Sequence, residues 1–396
     1  MIALTVIIVI FTRVWVVTPA SPSLDDIPNP TNVKLVLVGF RHANRNPAQF
    51  FADDPNKGLW GLEGTSMLTK IGKQQAYAYG QMLRKRYGFL IDKNWIASQV
   101  KAYSSSADRC QGTLQMVLAG LFPPQDYADW SDELDWSPVS YTIDNPLLRM
   151  YNEECPVSDQ AWKDVSDRNT PEAKKLYKDH KEIIKYISEK SGFEPNLSEA
   201  ADVVDNLEGM EIRGLKMPDW VEDNPFGDKF YEQVKQLSEA NQVLCSKHEP
   251  CRRLMAAYWL DHILKAIEKA ANDSNANPKM ILYATHNEIM SSLLWLLGNK
   301  RPHGVYFHGS GILEYRDTPM KAVRLIYSEP TAENPVERVN EVITMKFCQK
   351  DINDDGWCPL TAFLSALKSV RVSDWKTECR LPICMCTPHP DAPKRS

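Results

Sequence analysis

Three short, partly apolar segments share one pattern along the chain: KLVLVGF at 34–40, QVKAY at 99–103 and MILYA at 280–284. Each has the length of a strand. Each is followed by a few polar residues and then, directly or past an irregular stretch, by a segment with helical periodicity. After the first come RHANRNP and TKIGKQQAYAYGQMLRKRY (69–87), in which Ile71, Ala76, Tyr79, Leu83 and Tyr87 fall near helical spacing. After the second come SSSA and a helix expected over 108–119, with Asp108 as its N-cap and Gly120 and Pro123-Pro124 as its stop. After the third come Thr285-His286-Asn287 and the helical EIMSSLLWLLG. Strands alternating with helices predict an α/β fold, a doubly wound, mostly parallel sheet covered on both faces.

The pattern changes between 151 and 269. Charged amphipathic stretches such as PEAKKLYKDHKEIIKYISEKSG and CRRLMAAYWLDHILKAIEKAA dominate there, with few strand signals. This region reads as a helical cap inserted into an α/β core formed by 22–150 and 270–371. The Cys- and Pro-rich tail, 372–396, reads as stapled rather than helical.

The first 21 residues read as a secretory signal. An apolar stretch (2–11) precedes Thr18-Pro19-Ala20, a small-residue cleavage site. No other segment is long enough to span a bilayer, so no stable membrane span is expected after its removal. Secretion also suits the 9 cysteines, an odd number that leaves at least one without an intrachain partner. Cys379, Cys384, Cys386 and His389 have the look of a metal knuckle, but disulfides are the expected use and no metal is assigned. Asn196 and Asn272 head sequons and are expected at the surface. The formal net charge of −5, with no basic stripe, argues against nucleic acid as a partner. No cofactor is called for. The 11 tryptophans fit either core packing or an aromatic-lined ligand cleft.

In an open α/β sheet, ligands bind beyond the carboxyl ends of the strands, where helix N-termini point inward. The three junctions place Arg41, His42 and Arg45, then Arg109, then His286 at that edge. One arginine at a strand end is usually a surface cation, and one histidine usually a structural hydrogen-bonder. Three guanidiniums and two imidazoles together make an anion pocket, with phosphate its natural occupant. A neutral imidazole there is able to attack phosphorus.

RHANRNP resembles the Arg-His-Gly-x-Arg-x-Pro signature of the histidine acid phosphatases. LTKIGKQQAYAYGQMLRKRYGFL, SSSADRCQGTLQMVLAGLFPP, KMPDW and YATHNEIMSSLLWLLG are similar to segments spread along the same family, and the general character is that of the secreted acid-phosphatase-like proteins of insects. The resemblance implies the histidine phosphatase fold, with His42 as nucleophile and Arg41, Arg45, Arg109 and His286 as phosphate ligands. It also implies Cys155–Cys379 and Cys348–Cys358 disulfides. Proximity in sequence pairs Cys245 with Cys251. Homodimerisation is a further trait the resemblance implies.

Three positions depart from the pattern. Asn287 stands where the family places the Asp that protonates the leaving alcohol, and an amide cannot act as that acid. Glu288 is the candidate substitute, although its place directly after Asn287 predicts a side chain pointing elsewhere, and both residues suit a helix N-terminus. Ala43 replaces the signature glycine, which strains the chain if positive φ is needed there. Tyr103 replaces an arginine common in relatives and puts an aromatic face at the pocket mouth. The leading reading is a secreted acid-phosphatase-like protein with impaired or lost phosphomonoesterase activity. It would bind small molecules, anionic or aromatic amine or lipid mediators, in the former active-site cleft. The alternative is an active acid phosphatase working through phosphohistidine at His42.

Overall fold

The computed structural model describes residues 27–28, 32–273, 275–331, 334, 336–350 and 355–381. The segment read as a secretory signal, with Cys384, Cys386 and His389, lies outside them.

The strands are β1 (Val33–Arg41), β2 (Val100–Ser104), β3 (Thr142–Ile143), β4 (Met280–Thr285), β5 (Ser310–Arg316), β6 (Ala322–Pro330), β7 (Arg338–Ile343) and β8 (Cys358–Pro359). They form one mixed sheet in the order β3-β2-β4-β1-β5-β6-β7, with β8 on β6. The half that carries the junctions, β3-β2-β4-β1, is parallel. β5, β6 and β7 continue it antiparallel; their pattern was not read from the sequence.

β1 is apolar along its length because it is covered on both faces. Leu35 and Leu37 pack into one layer with the helices of 156–272, whereas Val36, Val38 and Phe40 pack into the other against α1 (Lys70–Tyr87) and α2 (Asp108–Leu121). Each such side chain contributes about 1.5–3 kcal/mol of burial. Thr69 caps α1, its Oγ1 accepting the Gly72 N–H at 3.0 Å. Asp108 is the first residue of α2 and not its cap, a place held by Ala107. Gly120 does not stop α2 either. It stays helical, and glycine is needed there because α1 packs so closely that a Cβ on Gly120 would lie 2.2 Å from the Tyr77 carbonyl oxygen.

Between β3 and β4 the chain runs through a succession of helices, the longest of them Glu249–Asn272. Disulfides join Cys155 to Cys379, Cys245 to Cys251 and Cys348 to Cys358. A short helix, Trp375–Glu378, precedes Cys379, so the start of the tail is both stapled and helical. Among the described residues no helix is long and apolar enough to cross a membrane.

Candidate active site

The register of the parallel strands builds the site. Phe40 pairs with Ala284 and Arg41 with Thr285, so β1 and β4 end at the same level. The next residue of each strand is a histidine. The His42 N–H donates to the Thr285 carbonyl at 2.9 Å, and the His42 and His286 rings lie 5.6 Å apart. β2 ends beside them, where the Ser105 N–H donates to the Ala284 carbonyl.

Hydrogen bonding fixes both imidazole tautomers. His42 Nδ1 lies 3.1 Å from the Ala43 carbonyl oxygen. A carbonyl only accepts, so Nδ1 carries the proton and Nε2 keeps its lone pair. Burial holds His42 well below the ordinary histidine pKa, assisted by the charges of Arg109, Arg41 and Arg45. The ring is therefore neutral and nucleophilic into the acid range. His286 shows the reverse tautomer. Arg109 donates to its Nδ1 at 3.3 Å, so Nε2 carries the proton and donates to Ser105 Oγ at 2.9 Å. Burial, then Arg109, keep His286 neutral as well.

Arg41 donates through Nη1 to the Val305 carbonyl at 2.6 Å, while its buried Nε has no hydrogen-bond partner among the described residues. Phe307 presents its ring to both signature arginines, 4.2 Å from the Arg41 guanidinium carbon and 5.6 Å from that of Arg45. Loop 304–309 thus holds the two signature arginines in place. It also holds Asn287, whose Oδ1 accepts the Val305 N–H at 2.7 Å and the Ser291 hydroxyl at 3.0 Å. Asn287 Nδ2 donates to the Gln242 carbonyl at 3.3 Å. Gly304 makes this approach feasible, since a Cβ there would lie 2.7 Å from Asn287 Oδ1. Asn287 is not the N-cap of its helix; His286 is.

Arg41, Arg45, Asn287 and Glu288 line one cleft of about 620 Å³. Glu288 therefore does reach the cleft, contrary to the expectation from its place after Asn287. The first turn of the helix Asn287–Leu296 brings both side chains to the same opening. The opposite wall is the helix Leu197–Ile212, which contributes Asp202 and Asp205. Arg45 donates to Asp205 Oδ2 at 2.6 Å. Burial, then Asp205, push Asp202 up to about 6 and the neighbouring Glu208 up to about 7. These carboxylates escaped the sequence reading, although Glu199, Asp202, Asp205 and Glu208 recur every third residue on one helix. Phe307 and Val305 left no signal, because their loop has no periodicity.

Tyr103 is not at the pocket mouth. Alternation along β2 sends Val100 and Ala102 into one layer and Tyr103 into the other, stacked on Tyr283 and edge-on to His262. Ala43 causes no strain. It is not among the residues at positive φ, and its N–H donates to Thr113 Oγ1 at 3.0 Å. Cys110, the free cysteine among the described residues, lies against His286, and burial pushes its thiol up to about 11, which keeps it protonated. Asn272 is exposed. Asn196 is half-buried at the cleft, where its Oδ1 caps the helix Leu197–Ile212 through the Glu199 N–H.

Over residues 31–315 the chain matches the family model of the histidine phosphatase superfamily, branch 2. It is 27% identical to the prostatic acid phosphatase of Rattus norvegicus, covering 88% of this chain and 89% of that one. It is 25% identical to the lysosomal acid phosphatase of Rattus norvegicus, covering 88% of this chain and 81% of that one. A Hafnia alvei phytase, solved in complex with myo-inositol hexakis sulphate, shares the fold at 15% identity with a TM-score of 0.65, covering 89% of this chain and 99% of that one. The matched stretch contains both strand ends that meet at His42 and His286, and the chain belongs to branch 2 of the histidine phosphatase superfamily.

Proposed function

We propose that the cleft takes phosphomonoesters and passes their phosphoryl group to His42, with turnover confined to esters whose alcohol leaves without being protonated. The carrying observation is the His42 tautomer. With Nδ1 donating to the Ala43 carbonyl, the Nε2 lone pair is free among arginines that favour a phosphate. Nε2 attacks phosphorus, the P–N bond forms, and the P–O ester bond breaks with its electron pair going to the departing oxygen. Water then attacks phosphorus and the P–N bond breaks. The two protons of that water end on the released phosphate and the alkoxide or phenolate. The relatives named as acid phosphatases support this reading.

Asn287 sets the limit. It occupies the position that the resemblance gives to the general acid, and its amide is tied up as both donor and acceptor. The same observation favours a second reading, retention of a small-molecule ligand without turnover. The apolar N-terminal segment and the three disulfides support passage through an oxidising, secretory compartment.

The test is phosphate release from an aryl and an alkyl phosphate across the acid range, wild type beside His42→Ala. The proposal expects aryl turnover that His42→Ala abolishes, and alkyl turnover lower by about 10²-fold or more. Equal rates on both esters would overturn the limit set by Asn287. Tight binding with no release from either would establish the second reading.

A further inference from the structure

We propose that the cleft selects phosphomonoesters whose alcohol carries an ammonium group, with Asp202 and Asp205 facing the cation and the signature arginines the phosphate. This rests on the phosphate-ester reading above and names its substrate class.

A cavity built for phosphate alone would surround the anion with donors and positive charge. Here Arg41 and Arg45 share their cavity with Asp202, Asp205 and Glu288. On the rim, Asp167 and Arg168 contribute opposite charges. The core end awaits an anion: Arg41 is only 8% exposed, and its Nε lacks a hydrogen-bond partner among the described residues. The cap end is the reverse. Asp202 receives a hydrogen bond from Gln49 at 3.4 Å, and among the described residues no Lys or Arg is ion-paired with it. Asp205 touches Arg45 itself, so the two signs meet within one cavity and are not segregated on separate surfaces. Trp162 lines the same cavity and supplies an aromatic wall against which an alkylammonium packs favourably.

The arrangement discriminates by charge. A neutral alkyl chain gains nothing from the carboxylates, and a second phosphate on the substrate would be repelled by them. An ammonium a few bonds from the phosphate compensates Asp202 while the phosphate engages Arg41. Because phosphate competes with Asp205 for Arg45, a ligand that also brings a cation gives Asp205 a new partner. A zwitterion thus brings Asp202 and the released Asp205 a cation to share, which a neutral ester does not.

The experiment is titration calorimetry near neutral pH on the mature chain with inorganic phosphate, propyl phosphate and 2-aminoethyl phosphate. The two esters differ by exchange of a terminal methyl for an ammonium. The proposal expects 2-aminoethyl phosphate to bind about fivefold more tightly than propyl phosphate, the scale of one partly screened charge pair. The ratio should fall toward one in Asp202→Asn and return in Asp202→Glu. Equal affinity for the two esters while inorganic phosphate binds would overturn the ammonium selectivity and leave the phosphate-ester reading standing. A full preference surviving in Asp202→Asn would also overturn it. Failure of inorganic phosphate to bind at all would overturn the phosphate-ester reading and this inference with it.

Discussion

The side chain of Asn287 and the backbone of Val305 are joined by a 2.7 Å hydrogen bond, Val305 N–H donating to Asn287 Oδ1. The Val305 carbonyl in turn accepts from Arg41. Residue 287 is thereby coupled to Arg41 through one loop residue. An aspartate there keeps the bonds from Val305 and Ser291, but its second oxygen faces the Gln242 carbonyl, where the amide now donates. Two facing acceptors favour a proton between them.

Asn287→Asp is therefore expected to place a protonated carboxyl beside the leaving oxygen without disturbing the loop. Turnover of alkyl phosphates should rise by about 10²- to 10⁴-fold while aryl turnover changes little. Steady-state kinetics on matched aryl and alkyl esters checks this. No gain on alkyl esters would mean that a proton already comes from another group, with Glu288 an acid of the same cleft.

Phe307 packs against the guanidiniums of Arg41 and Arg45 and, with ring centroids 5.6 Å apart, against His42. Its loss exposes the guanidiniums of Arg41 and Arg45 to reorientation, and a cation–π contact of this kind is worth about 0.5–2 kcal/mol. Phe307→Ala should weaken inhibition by inorganic phosphate by about threefold to thirtyfold. Phe307→Tyr should restore it, since the ring face is retained.

Acid should stabilise the cap. Glu208 is pushed up to about 7 and Asp202 to about 6, so the folded chain holds protons there that the unfolded chain has already released. Stability from these groups is complete below the ordinary carboxyl range and is lost as pH rises from there toward 7. Glu208→Gln should remove part of this loss, and its melting temperature should fall less than that of wild type between about pH 4.5 and 7. The buried His42 and His286 act in the opposite direction, because the unfolded chain takes up protons at these residues below the ordinary histidine value. Comparing the variant with wild type cancels their contribution.

The antiparallel half of the sheet depends on a buried charge network. Glu314 is fully buried, accepts from Arg324 at 2.6 Å and Arg86 at 3.1 Å, and receives the Tyr87 hydroxyl at 2.7 Å. Glu314→Ala would strand buried guanidiniums and should cost about 3–5 kcal/mol, read by chemical denaturation. A cost below about 1 kcal/mol would show that the arginines find other partners.

The parallel half of the fold was legible because β1 and β4 are buried on both faces and read as nearly continuous apolar runs, while β2, with Lys101 exposed, is marked by the polar loop and helix that follow it. The antiparallel strands were not, since the buried charges Glu314, Arg316 and Arg324 interrupt the apolar pattern of β5 and β6, β7 is only half-buried and β8 has two residues. Residues at strand ends follow from the junction pattern, and the structure brings Arg41, His42 and His286 together where β1 and β4 end. Tyr103 was misplaced by a period-2 alternation that its five-residue strand is too short to display. Glu288 was misplaced because the first helical turn, not the strand direction, aims it. Asp205 reaches the cleft, and Phe307 the signature arginines, only through tertiary packing, from a cap helix and a loop distant in sequence.

The most direct test of the account is to trap the covalent intermediate. A rapid-quench reaction with a phosphorus-labelled aryl phosphate should give close to one labelled phosphoryl group per chain, stable in base, labile in acid and absent from His42→Ala. Phosphate release from wild type with no such intermediate, or with label retained in His42→Ala, would contradict it.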